Sequence, residues 1–232
     1  MDRTASRRID KVATKRASGS VKSRSVKLGT KLTPSRPTGV STFEYLLSTA
    51  GQLLGEVGFE GLSTNLICKR AGMTPPALYR YFPNKYAVLQ ELGRRLMRAQ
   101  DYAVFAWMAE GGLNFSSLTA AVESNRRLQT EVNTITRRQP GGKWIMRAMR
   151  AVPLLHAVRI ESRDLVARRL AKALQPQYPN LSRKRLLAST RLSTEVMYAA
   201  TEMALEAPAQ EAQITAEVCW MVCLYYAQLR QR

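Results

Sequence analysis

The sequence predicts an all-α protein, an N-terminal three-helix unit carrying a helix-turn-helix followed by a larger helical domain. Three observations predict it. From Ser41 onward apolar residues recur at three- and four-residue spacing. No stretch sustains the two-residue alternation of a half-buried strand. Two short helical patterns meet at Gly72, one opening after Ser63 and the other after Thr74, which is the punctuation of paired helices.

Residues 1–40 stand apart from this pattern. They hold eleven Lys or Arg, two acids and no aromatic residue. Such a segment buries too little apolar area to offset its ordering entropy, so a disordered basic arm is expected there, ending at Pro34 and Pro37. Its charge suits a DNA backbone or minor groove, or simply a solvated tail. The helical unit of residues 41–86 follows. Phe43, Leu46, Leu47, Ala50, Leu53, Leu54 and Val57 make one face of a first helix, with Ser41 or Thr42 as its cap and Gly58 as its end. Ser63 caps a short helix from Thr64 to Ala71, and Gly72 supplies a positive-φ turn. Thr74 caps a second short helix with Pro75 in its first position, where a missing N–H has no helical partner to lose. Pro83 stops that helix. Asn84 caps a long one from Lys85 to about Ala109. Residues 87–232 then read as helical segments near 115–137, 143–151, 154–175, 182–206 and 209–230, separated by Gly and Pro breaks.

The bulk charge bounds the partners. Thirty-six Lys or Arg face seventeen Asp or Glu, a formal net charge of +19. That surplus favours a polyanion, double-stranded DNA first and an anionic membrane surface second. The longest apolar run, Val218 to Ala227, is too short to span a bilayer. The Arg pairs at the start have no apolar stretch behind them, so no signal peptide is read and a cytoplasmic location is expected. Cys68, Cys219 and Cys223 have no metal spacing and suit free thiols in a reducing compartment. Cys219 and Cys223 share a helix face, which allows a redox pair, but buried packing explains them more simply. One His, no clustered carboxylates and no Gly-rich phosphate loop argue against an enzyme and against any cofactor or metal.

Two short helices on a tight Gly turn form the unit that places a helix in the major groove of DNA. On the second, Thr74, Pro75, Ala77, Arg80 and Tyr81 are expected outward, with Leu78 and Phe82 inward. Arg80 suits a guanine edge or a phosphate; the hydroxyls of Tyr79 and Tyr81, and Lys85, suit phosphates. Thr64 and Asn65 open the first short helix and reach the backbone from across the groove.

The stretch GFEGLSTNLICKRAGMTPPALYRYFPNKYAVLQEL resembles the N-terminal domain of the TetR family of transcriptional regulators. The family's ordered features correspond here to Ala50, Gly58-Phe59, Ser63-Thr64, Ala71-Gly72-Met73, and Tyr79, Phe82 and Lys85. The resemblance covers residues 43–92, about a fifth of the chain. It implies a helical ligand-binding and dimerisation domain, a homodimer on a near-palindromic operator, and repression relieved by an unknown small-molecule effector. It also implies backbone contacts at Thr64, Tyr79, Tyr81 and Lys85, and base-side contacts at Asn65, Thr74, Pro75, Ala77 and Arg80. Pro75-Pro76 departs from the family by leaving the second helix few polar groups, so readout is expected to lean on thymine methyls, Arg80 and DNA shape.

The last two helical segments are rich in apolar residues that need a partner surface; the resemblance implies a dimer interface there. Trp107, Phe115, Trp144, Met149 and His156 are candidate walls of a ligand pocket, although apolar residues at helical spacing are mostly packing. The arginines of the middle segment hint at an anionic effector or, more simply, a solvated basic face. Two rival classes remain at this stage, an architectural nucleic-acid binder driven by charge alone and a membrane-surface protein.

Overall fold

The computed structural model describes residues 26–31 and 37–231. Most of the arm expected over residues 1–40 therefore lies outside the described residues. Among those described, nine α-helices are joined by turns, three of which are single 3₁₀ turns, and there is no strand. Helices α1 (Pro37–Gly61), α2 (Thr64–Ala71), α3 (Pro75–Tyr79) and the start of α4 (Lys85–Ala109) build the head. The rest of α4, with α5 (Leu118–Arg138), α6 (Gly142–Ala151), α7 (His156–Leu174), α8 (Arg183–Glu206) and α9 (Glu211–Arg230), builds the body.

Helix α1 begins at Pro37, four residues ahead of the expected Ser41. Thr42 is inside it, donating its hydroxyl proton to the Thr38 carbonyl, and does not cap it. Gly58 takes φ 68°, which breaks the regular helix at the residue expected to end it. A side chain at Gly58 would also meet the Trp144 ring, so this glycine serves both the turn and a close approach of α6.

The head is closed by aromatic packing. Phe43 stacks on Phe82 with centroids 5.0 Å apart and meets Tyr81 edge-on at 5.6 Å. Leu46, Leu53, Ile67 and Leu78 fill the space between α1, α2 and α3. Two bidentate ion pairs brace it from outside: Arg70 of α2 grips Glu56 of α1, and Arg95 of α4 grips Glu44 of α1. Both are exposed to a third or more, so solvent screening leaves each a small contribution.

Head and body share one continuous core. It runs from Phe43 through Leu89, Leu92 and Leu96 on α4 to Ile145, Met149 and Tyr198. The Pro140-Gly141 turn before α6 lies directly on α1, so close that a Cβ on Gly141 would come within 2.5 Å of the Gly51 carbonyl oxygen. Motion of α6 or α4 therefore reaches the head through packed atoms.

The body's arginines are mostly spent on pairing. Arg137 pairs with Glu211, Arg147 with Glu206, Arg150 with Glu202 and Arg159 with Glu195, each joining two helices. Of the basic middle, Arg137, Arg147 and Arg150 clamp helices together, while Arg126 pairs with Glu123 within α5.

Candidate nucleic-acid interface and ligand cavity

Local chemistry fixes the helix-turn-helix. Ser63 accepts from the Leu66 N–H at 3.1 Å and so caps α2. Gly72 sits at φ 62°, and its left-handed backbone turns the chain into α3. Thr74 has the extended backbone of a cap, but its side chain makes no cap bond. Its hydroxyl therefore stays available on the surface. Asn84 caps α4 by accepting from Ala87 N–H at 3.0 Å, while its amide donates to the Lys27 carbonyl at 2.8 Å. The Lys31 N–H donates to the Tyr81 carbonyl at 2.8 Å. Segment 26–31 thus lies against the end of the recognition unit.

The exposed face gathers Asn65, Thr74, Pro75 and Arg80, with Thr64 and Ala77 half-buried beside them. Tyr79 is 39% exposed and its hydroxyl is 3.1 Å from the Thr64 hydroxyl, so two groups expected on phosphates stand together. Leu78 and Phe82 face inward as expected.

Two expected contact residues are placed elsewhere. Tyr81 is only 3% exposed, its ring edge-on to Phe43. The regular helix stops at Tyr79, and the following turn rotates Tyr81 under α1 instead of leaving it on the outer face. Lys85 is half-buried. Its ammonium donates to the carbonyls of Phe59 (3.3 Å) and Leu62 (3.2 Å) and lies 4.5 Å from the Phe59 ring centre. Those carbonyls lie in the last turn of α1 and just beyond it, so the cation is used in building the head.

The body encloses a cavity of about 280 Å³ between α4, α5, α7, α8 and α9, lined mainly by apolar side chains. Trp107 and Phe115 line it as expected, the indole N–H of Trp107 tied to Ser124 at 2.9 Å. Trp144, Met149 and His156 do not. Trp144 packs on Gly58 under Arg147, and Met149 is buried against Gly93 in the shared core. The ring N–H of His156 donates to the Arg150 carbonyl at the surface. Trp144 and Met149 belong to the head–body joint, and His156 to the surface turn that leads from α6 into α7.

The sequence reading missed the polar wall. Gln100 and Asp101, from the inner face of α4, line the cavity with Gln129 of α5 and Tyr198 of α8. Burial pushes the Asp101 carboxyl up to about 6, against the pull of the Ser162 hydroxyl and the more distant Arg169. Tyr198 is pushed upward by burial as well. A signal was present: Gln100 and Asp101 continue the spacing of Leu89, Leu92, Leu96 and Met97, so they occupy the buried stripe of α4 where apolar residues are the rule. Burial also pushes the thiols of Cys219 and Cys223 up, to about 12 and about 11, which keeps them protonated and speaks against a redox pair. Among the described residues no group of His, Cys, Asp or Glu has the arrangement to hold a metal ion, and no helix is long and apolar enough to cross a membrane.

A glycine-turned pair of short helices, packed on a long helix that runs on into a cavity-bearing bundle, defines a helix-turn-helix head on a helical body. Comparison with known proteins makes the class specific. Residues 46–92 match the family model described as bacterial regulatory proteins, tetR family. The tetracycline repressor protein class C of Escherichia coli is 43% identical over 54 residues, 23% of this chain and 25% of that protein. The chain thus matches about a quarter of the length of that curated relative. A solved TetR-family transcriptional regulator from Streptomyces coelicolor superposes with a TM-score of 0.56 at 20% identity, covering 81% of this chain and 99% of that one. The structure of RolR in complex with the ligand resorcinol gives a TM-score of 0.53 at 19% identity, covering 84% and 93%. At these identities the structural likeness establishes the fold, and the likeness to the tetR family is carried by residues 46–92 of the head.

Proposed function

We propose that the chain is a ligand-responsive repressor that binds a near-palindromic operator as a homodimer. The observation that carries this reading is the outer face of α2 and α3. Asn65, Thr74 and Arg80 are exposed there, and no side-chain hydrogen bond to the rest of the head occupies them. Arg80 reads a guanine edge or grips a phosphate; Asn65, Thr64 and Tyr79 position the backbone; Pro75 and Ala77 offer apolar contact to thymine methyls. Lys85 is reassigned from phosphate contact to holding the end of α1.

The dimer reading is supported by α8 and α9, which expose Leu192, Met203, Trp220, Met221, Leu224 and Tyr225. Six large apolar side chains on two neighbouring helices exceed what a monomer ordinarily leaves in water. The ligand reading is supported by the cavity, and RolR, which shares the fold, was solved with resorcinol. A ligand wedged between α4, α5 and α7 displaces α4, and α4 and α6 carry the displacement to the heads, changing their spacing.

Sedimentation of the full chain tests the assembly. A dimer is expected, converting to monomer in Met221→Glu/Leu224→Glu and losing operator affinity while the helical signal is kept. A wild-type chain that sediments as a monomer and still protects a two-half-site operator would overturn the homodimer.

A further inference from the structure

On its Gln100–Asp101 side the wall of the cavity has spare hydrogen-bond acceptors and no spare donor, whereas the one cation on the lining, Arg230, donates to Gln177. Gln100 is 1% exposed, and its orientation is set by its neighbour. The Thr136 hydroxyl spends its proton on the Val132 carbonyl at 2.7 Å, so it can only accept from Gln100, whose Nε2 lies 2.7 Å away. The Gln100 amide oxygen is thereby turned the other way, fully buried and without a partner. A buried acceptor left unpaired is expensive, and native proteins rarely keep one without use.

Gln129 repeats the logic. Thr201 spends its proton on the Met197 carbonyl, and Asn133 turns its amide to Glu211, so both present oxygens to the Gln129 amide nitrogen. The Gln129 oxygen is left over. Beside Gln100, Asp101 is 7% exposed and accepts one hydrogen bond, from Ser162 at 2.6 Å on one carboxylate oxygen. Because the Ser162 proton goes to Asp101, Tyr198 must donate to Ser162, at 2.8 Å, and has no proton left for the cavity. Tyr226 donates to Ser193 in the same way, the Ser193 proton being spent on Thr190.

Resting on the reading that this cavity is the effector site, we propose that its ligand is a lipophilic cation: an apolar body carrying a protonated amine or amidine whose N–H groups meet the carboxylate of Asp101 and the amide oxygen of Gln100. Three features lead there. The free groups around Gln100 and Asp101 are acceptors, so a head seated there must donate. One of them is anionic and enclosed, where a charge-assisted bond is strongest. The remaining walls are apolar, so the body must be too. Arg169, whose charge acts on Asp101, lies over the Phe105 ring at 3.9 Å. The chain's net charge opposes a cation only weakly, since charges farther than about 8 Å are screened at physiological salt.

Calorimetry of the full-length protein with octylamine, octanol and octanoate separates head from body, because the three share one tail. Octylamine is expected to bind about tenfold tighter than octanol, and octanoate weakest despite the protein's positive charge. In Asp101→Asn the amine advantage is expected to vanish while octanol binding persists; circular dichroism and octanol binding report that the variant is folded. Octanol binding as tightly as octylamine, octanoate binding tightest, or none of the three binding at millimolar concentration would overturn the proposal. Operator release is read separately. If octylamine binds through Asp101 but leaves the protein on DNA, the ligand class stands and the effector reading falls.

Discussion

The head and the cavity wall are built from opposite materials. Around Phe43 and Phe82 the interior is a close-packed set of aromatic and aliphatic side chains, with polar groups mainly at its caps and clamps. Around Gln100 and Gln129 the interior is threaded by amides and hydroxyls bonded in series, with acceptors left over and space beside them. The first arrangement minimises voids and holds one shape, as a surface that must fit a groove requires. The second gives up packing and leaves buried polar capacity unfilled, which a ligand restores. Close packing is concentrated in the face proposed to read DNA, and unfinished bonding in the cavity proposed to receive a ligand.

Breaking the head should cost most. Phe82→Ala removes the ring stacked on Phe43 and leaves a cavity in the head, an expected loss of about 3–5 kcal/mol by denaturant titration, with DNA binding lost alongside. A loss below about 1 kcal/mol would mean that the head is not close-packed. At the cavity the expected sign reverses. Asp101 has an ordinary carboxyl value of 3.8 and about 6 when folded. Below pH 4 it is protonated in both states and contributes nothing. Between about 4 and 6 the folded state alone keeps the proton, so stability falls as the pH rises through that window and stays lower above it. Tyr198 through Ser162, and Arg169, are the groups that face it. Asp101→Asn should therefore stabilise the free protein by roughly 1–3 kcal/mol at pH 7.5 and remove its share of the fall. A destabilised variant at neutral pH would show that the carboxylate is structural.

The smallest effect sharpens the boundary between building the head and reading DNA. Lys85→Met should lower stability by about 1–2 kcal/mol, because two carbonyls at the end of α1 lose a charged donor. The salt dependence of DNA binding should keep its slope. A shallower slope with unchanged stability would return Lys85 to the phosphates.

What was legible in the sequence divides along the same line. Ser63, Gly72, Pro75 and Asn84 act on their own few residues, so their spacing gives α2 and the starts of α3 and α4 to the residue. Tyr81 was misplaced because the helical pattern was extended through Phe82, whereas the chain leaves regular helix after Tyr79. Lys85 was misplaced because its partners, the Phe59 and Leu62 carbonyls, are brought to it only by the folding of α1 over α4. Trp144 and Met149 looked like pocket walls by composition, but they pack against Gly58 and Gly93, and no local pattern announces a glycine as the floor beneath a distant ring. Gln100 and Asp101 were visible as polar intrusions in a buried stripe. That they open on a cavity depends on α5, α7 and α8 standing apart at that level, which is a property of the whole bundle.

The central claim is that the exposed face of α2 and α3 distinguishes one DNA sequence from another. Selection of duplexes from a random pool by the full-length protein, followed by titration of the winner against a scrambled duplex at physiological salt, tests it most directly. The winner should bind about 10³-fold or more tighter than the scrambled duplex, and Arg80→Ala should reduce that preference by about 1–3 kcal/mol without lowering stability. Equal affinity for selected and scrambled duplexes, or an unchanged preference in a set of variants replacing Asn65, Thr74 and Arg80, would contradict it.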